Sequence, residues 1–125
     1  MNTLLVAGGG AVGAALRYLI GGWVVSRLGP DFPWGTFIVN VSGCLLIGAV
    51  LGLVEHGALP GGARLFLAVG VLGGYTTFST FGYETLRLLE GGELLAAASN
   101  AFGQLALGLV AVYLGLVAAR ILAGA

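Results

Sequence analysis

GVLGGYTTFSTFGYETLR, residues 70–87, lies within an apolar segment long enough to cross a bilayer, yet it differs from an ordinary spanning helix. Its glycines at positions 70, 73 and 74 weaken helical structure. Lipid offers no hydrogen bonds, so irregular backbone at membrane depth is tolerated only where protein or water satisfies it. We therefore predict a spanning helix that is broken in mid-membrane, with the functional site at the break. Four hydroxyl residues lie there: Thr76, Thr77, Ser79 and Thr80.

The composition outside this stretch is that of a membrane protein. Of the 125 residues, 58% are hydrophobic and 8% are charged, whereas a soluble domain carries about a quarter charged residues. Five arginines balance five acidic residues, so the charge gives no indication of a nucleic-acid partner. The single cysteine, Cys44, excludes an internal disulfide and a cysteine-based zinc site.

Four segments satisfy the requirement of about 20 mostly apolar residues for a transmembrane helix. They are residues 4–28, 34–54, 63–89 and 94–122, separated by short stretches rich in Gly, Pro and acidic residues. The predicted fold is thus all-α, a single transmembrane domain over residues 1–125 in the lipid bilayer. Two GxxxG pairs, Gly9 with Gly13 and Gly48 with Gly52, predict close helix packing.

The loop charges give no orientation. Four crossings place Arg64 and Arg120 on one side of the membrane and Arg27 and Arg87 on the other, so the positive-inside rule predicts no orientation. One interpretation is that the chain has a preferred orientation whose charge bias is too weak to detect in the sequence. The other is a chain that inserts both ways and forms an antiparallel homodimer, whose two copies supply the inverted repeat that many transporters use.

Polar side chains inside the predicted spans each need a reason, because lipid penalises them. Asn100 and Gln104 lie four residues apart on one face of the last span, where interhelical hydrogen bonds and a functional role are both open. Asn40 favours function, since its amide can donate two hydrogen bonds to an anion. Arg17 either pairs with an acid, for which Glu84 is the candidate, or attracts anions into a vestibule; the two interpretations are compatible.

Phe78 and Phe81 stand three residues apart and share a helix face. Such a pair is ordinarily core or lipid-facing. Beside hydroxyl residues, however, the positive ring edges can face an anion, and a narrow path of this kind suits a small, strongly hydrated anion. Carbonyl oxygens exposed by the break can also bind a hard cation, although a simple kink explains the glycines equally well.

The residues that catalysis requires are not found in a recognisable arrangement. His56 stands alone in a loop, and the sequence contains no HExxH motif and no phosphate-binding loop. GGGAVGAALR has the spacing of a dinucleotide fingerprint, but no predicted strand precedes it. We therefore expect a protein that is not an enzyme.

Three motifs carry a family resemblance. GGGAVGAALRY at 8–18, GTFIVNVSG at 35–43 and GGYTTFSTF at 73–81 resemble, in order, the CrcB/Fluc family of fluoride channels, and the four-span layout covers nearly the whole chain. The last motif, followed by Glu84, is the most specific. The resemblance implies a dual-topology, antiparallel homodimer in the cell membrane, with two fluoride pathways and a central sodium ion.

The resemblance also implies roles for individual residues. The fluoride pathway would be lined by Phe78, Phe81, Asn40, Ser79 and Thr80. Arg17 and Glu84 would act electrostatically at the vestibule, and the backbone carbonyls of Gly73 and Thr76 would bind Na⁺, one pair from each subunit. The chain departs from the family at Asn100 and Gln104, which stand where many members have Tyr or another polar group, and at Tyr75, where many have Leu.

The function expected from the resemblance is passive, potential-driven export of fluoride, which protects the cell from fluoride toxicity. Two alternatives stay open. A small proton-coupled multidrug exporter is also compact and four-spanning, but it needs a carboxylate in the first span, where this chain has Arg17. A non-transporting assembly subunit would explain the glycines but not the clustered polar and aromatic residues.

Overall fold

The computed structural model describes residues 1–124; Ala125, the last residue of the predicted domain, lies outside the described residues. Residues 1–124 form an all-helical bundle with four helices long and apolar enough to span a membrane, as predicted. The third span, Gly61–Glu90, consists of two helices, which we number α3 and α4. The helices are α1 (Asn2–Leu28), α2 (Trp34–Glu55), α3 (61–75), α4 (Phe78–Glu90) and α5 (Leu94–Leu122).

Glycines determine how closely the helices approach, as the GxxxG pairs predicted. A Cβ atom added to Gly13 would overlap the carbonyl oxygen of Val71, so α1 and α3 touch backbone to backbone. Gly48 meets the backbone of Val112 in the same way where α2 crosses α5. Close packing of small residues is a main source of helix association in lipid. The bundle is therefore built from two tight pairs, α1 with α3 and α2 with α5.

The α3 helix is wound more widely than an α-helix over most of its length. Arg64–Leu72 is π-helical, and the N–H of Gly73 bonds to the carbonyl of Ala68, five residues earlier. Nothing in the sequence pattern indicates this winding. The π-helix is rare and occurs mostly as single-turn bulges, which are frequent at functional sites. Here the winding ends three residues before the break.

The predicted break is confirmed, but its position differs from that of the glycines. Thr76 and Thr77 have extended backbone conformations, near the midpoint of the third span. Gly70 and Gly74 lie in the helix before it, where they allow contact with Gly9 and Gly10 of α1. The glycines thus serve packing, and the helix ends two residues later at the threonines.

The α4 helix is the least enclosed part of the third span. It packs mainly against α5 and leaves one face uncovered by the rest of the chain. Phe78 is 84% exposed and Tyr83 is 65% exposed on α4. A helix with a polar N-terminal end and two exposed aromatic side chains is thus presented at the surface of the single chain.

Candidate functional site

Asn40 of α2 holds the backbone at the break. Its Oδ1 atom accepts the N–H of Thr77 at 2.8 Å, and its Nδ2 atom donates to the carbonyl of Thr77 at 3.0 Å. Nδ2 also donates to Oε1 of Gln104 at 2.8 Å. Both amide hydrogens are therefore engaged. In this conformation the amide expected to donate to an anion donates instead to the broken helix and to Gln104.

Asn100 and Gln104 of α5 continue this hydrogen bonding. Gln104 Nε2 donates to Asn100 Oδ1 at 2.9 Å, and Asn100 Nδ2 donates to Thr85 Oγ1 at 2.8 Å. Of the two predictions for this pair, interhelical hydrogen bonding is the one formed. Gln104 lines a groove, whereas Asn100 is fully buried. That the two residues line a pore stays a prediction.

Phe78 and Phe81 lie side by side at the start of α4. Their ring centroids are 5.7 Å apart, with the planes inclined at 46°. Both rings border a groove of about 360 Å³ that also contacts Asn40, Thr77 and Gln104. The structure thus brings the paired rings, the asparagine and the break together on one open side of the chain.

The hydroxyl residues divide into different roles. Thr77 is the N-cap of α4, because its Oγ1 atom accepts the N–H of Thr80 at 3.2 Å. Thr76 Oγ1 donates to the carbonyl of Leu72 at 3.0 Å and so caps the end of α3. Ser79 is exposed and its hydroxyl lies 3.4 Å from that of Thr77. From the sequence, Thr77 had no role apart from the other hydroxyl residues at the break, although a Thr before a helix is a common N-cap signal.

Arg17 caps the broken helix instead of pairing with an acid. Its Nε atom donates to the carbonyl of Gly74 at 3.2 Å. Across residues 1–124 the only ion pair joins Arg87 and Glu90, so the suggested pair of Arg17 with Glu84 is not formed. A cation at the C-terminal end of α3 also matches the helix dipole.

Arg17 and Glu84 nevertheless face the same space. Both line a vestibule of about 530 Å³, together with Thr77 and Thr80 at the break. One carboxylate oxygen of Glu84, Oε1, is buried and accepts no hydrogen bond from the described part of the chain. The vestibule therefore contains one positive and one negative group, held separately.

The break presents backbone groups of opposite polarity. Among the described residues, no hydrogen bond reaches the carbonyls of Gly73 and Thr76, at the end of α3. On the other side, the N–H groups of Phe78 and Ser79 begin α4 without an acceptor from residues 1–124. A helix C-terminus attracts cations and an N-terminus attracts anions. The two ends of the break therefore present opposite polarities to the same region of the chain.

These features define a multi-pass membrane protein whose third span is broken near its midpoint. Comparison with known families identifies the family to which the chain belongs. The profile of the family described as "CrcB-like protein, Camphor Resistance (CrcB)" matches residues 4–116. The chain belongs to this family.

Relatives named "Fluoride-specific ion channel FluC" match over nearly their full length. One from Thermus thermophilus is 60% identical over 112 residues, which cover 90% of this chain and 88% of the relative. One from Rhizobium meliloti is 46% identical over 121 residues, covering 95% of this chain and 96% of the relative. One from Chloroflexus aurantiacus is 49% identical over 115 residues, covering 91% of each.

Proposed function

We propose that this chain is a fluoride-selective channel that exports fluoride passively from the cell and so protects it. The observation that carries the proposal is the juxtaposition of paired phenylalanine rings with the free N–H groups at the start of α4. Ring edges and helix N-termini both favour an anion. Relatives up to 60% identical bear the name of fluoride-specific channels, which identifies the anion.

The mechanism follows from how these groups replace the water molecules that hydrate the anion. Fluoride is small and strongly hydrated, so a pathway must offer positive partners at close range. Arg17 raises the local concentration of anions in the vestibule, and Thr80 and the α4 N-terminus provide hydrogen-bond donors at the break. The ring edges of Phe78 and Phe81 face the anion as it passes the groove. A monovalent charge gains about 2.3 kcal/mol per 100 mV, so the membrane potential, negative inside, drives export.

The functional unit is an antiparallel homodimer in the plasma membrane. A single chain would place Phe78, Ser79 and the open backbone of the break against lipid, where an unsatisfied backbone group costs several kcal/mol. A second copy covers this surface. The equal division of arginines between the two membrane faces removes the usual orientation signal and supports opposite insertion of the two copies.

Sodium fits the end of the break formed by the C-terminus of α3. The carbonyls of Gly73 and Thr76 accept no hydrogen bond from the described chain, and neutral carbonyl oxygens are the ligands by which unwound transporter helices hold Na⁺. Residues 1–124 contain no cluster of three His, Cys, Asp or Glu residues that would suit another metal. Two carbonyls from each copy would hold the ion, which would offset the negative ends of both α3 helices.

The experiment is fluoride efflux from liposomes, measured with a fluoride electrode and with chloride as the control anion. Phe78→Ile and Phe81→Ile should each reduce fluoride flux while the dimer stays folded. Phe102→Ile on α5 is the matched control, because Phe102 is 71% exposed and lines neither the groove nor the vestibule. Normal flux in both first variants would refute the ring-edge mechanism. No wild-type flux would favour an assembly subunit, and flux driven only by a proton gradient would favour an exporter.

Dual topology has its own test. In a Cys44→Ser background, Ala125→Cys should react with a membrane-impermeant thiol reagent from both membrane faces, in about equal amounts. Labelling from one face alone would contradict opposite insertion without affecting the assignment of the anion.

A further inference from the structure

A single hydrogen-bond chain links the break to the helix that carries the paired rings. It starts at Asn40, whose Nδ2 atom donates to Gln104 Oε1 at 2.8 Å. Gln104 Nε2 then donates to Asn100 Oδ1 at 2.9 Å, and Asn100 Nδ2 donates to Thr85 Oγ1 at 2.8 Å. The Thr85 hydroxyl ends the chain by donating to the carbonyl of Phe81 at 2.8 Å. Three helices, α2, α5 and α4, are joined in this way.

Both ends of this chain fix its direction. The carbonyl of Phe81 can only accept, so the Thr85 hydroxyl must donate to it and accept from Asn100. At the other end, the backbone N–H of Thr77 can only donate, so it requires Oδ1 of Asn40. Every amide between these ends has one orientation that satisfies both neighbours. A reversal of any one of them would break a bond on each side.

Thr85 lies on the helix face that bears the rings. It follows Phe81 by four residues and Phe78 by seven, which places all three on one side of α4. Because α4 packs mainly against α5, a bond from α5 to Thr85 determines how α4 is rotated about its axis. The rotation of α4 in turn determines where the rings point.

We propose that Gln104, Asn100 and Thr85 form a positioning relay, which orients the Asn40 amide at the break and the two phenylalanines on α4. This inference rests on the proposed function and assigns a role to the two polar residues of the last span. Asn100 is fully buried and Gln104 is 8% exposed, with their amide nitrogens engaged within the protein. They act on fluoride flux by positioning Asn40 and the rings.

Thr85 gives a clean test, because it lines neither the groove nor the vestibule. Thr85→Val removes the hydroxyl at constant shape, and Thr85→Ser keeps it. We expect Thr85→Val to lower fluoride flux by about tenfold, the effect of leaving a buried amide without its partner. Thr85→Ser should retain flux within about twofold of wild type, as should Ser99→Ala, a loss of an exposed hydroxyl beside Asn100. Equal flux in the Val and Ser variants would overturn the relay.

A second measurement does not depend on transport. Thr85→Val and Gln104→Met are combined in a double-mutant cycle on the thermal stability of the purified dimer. The two side chains make no direct bond, so coupling between them must pass through Asn100. The relay requires the double variant to be destabilised by clearly less than the sum of the single variants. Additive losses would refute the relay even in a conducting protein, whereas coupling in a protein without fluoride flux would refute the proposed function alone.

Discussion

Asn40→Leu tests whether the break must keep the observed geometry. Leucine has the same branching as asparagine, so the change removes polar atoms with little change in shape. Three hydrogen bonds are lost: those with the N–H of Thr77, the carbonyl of Thr77 and Oε1 of Gln104. At about 1 kcal/mol net for each bond, the cost is about 3 kcal/mol. If only this geometry conducts, its population and the fluoride flux should fall by about 150-fold.

The assay is fluoride efflux from liposomes at equal protein loading, accompanied by gel filtration to show that the dimer persists. Ser26→Ala is the control for loss of a polar atom, because the Ser26 hydroxyl is exposed and bonds only to the carbonyl of Trp23 in its own helix. The control should conduct like wild type. Flux in Asn40→Leu within about threefold of wild type, from an intact dimer, would mean that the asparagine does not hold the break and that the magnitude derived from its three bonds is wrong.

Two further substitutions test the framework around the break. Gly13→Ala introduces a Cβ that overlaps the backbone of α3, which should destabilise the dimer by about 1–3 kcal/mol in thermal unfolding. Gly8 has open space around it, so the control Gly8→Ala should unfold like wild type. Equal losses of stability in the two variants would contradict the packing argument. Arg17→Met should lower both dimer stability and fluoride flux at low salt, because it removes the bond to the Gly74 carbonyl and the vestibule charge. Arg17→Lys should restore flux but not stability, and recovery of both would show that charge alone matters.

The sequence allowed the number of spans and the interruption of the third to be predicted, because both follow from the incompatibility of lipid with open backbone. The same reasoning placed the break in the third helix at its glycines. In the structure Gly70 and Gly74 are used for contact with α1, and the helix ends at Thr76 and Thr77. A glycine in a helical segment signals either flexibility or close approach, and one sequence does not distinguish the two.

The site was predictable in its residues but not in its partners. Sequence position brought Phe78 and Phe81 together, since residues three apart share a helix face. The partners of Asn40 and Arg17 depend on contacts between residues far apart in the chain. Arg17 lies 57 residues from the carbonyl that it caps, and an acid was the obvious candidate because charge is visible in a sequence and a freed carbonyl is not.

The backbone groups that form hydrogen bonds at the break indicate the role of the backbone groups that form none. Side chains satisfy the Gly74 carbonyl, both backbone groups of Thr77 and the N–H of Thr80. Within the described chain, five groups remain: the carbonyls of Gly73, Tyr75 and Thr76 and the N–H groups of Phe78 and Ser79. At about 1–3 kcal/mol each, leaving all five unpaired would cost about 5–15 kcal/mol, comparable with the whole stability of a typical domain. A fold that supplies partners for the neighbouring groups and leaves these five open is stable only if ions, water or a second copy complete them. For this reason, we regard the break as a site that its ligands help to hold together.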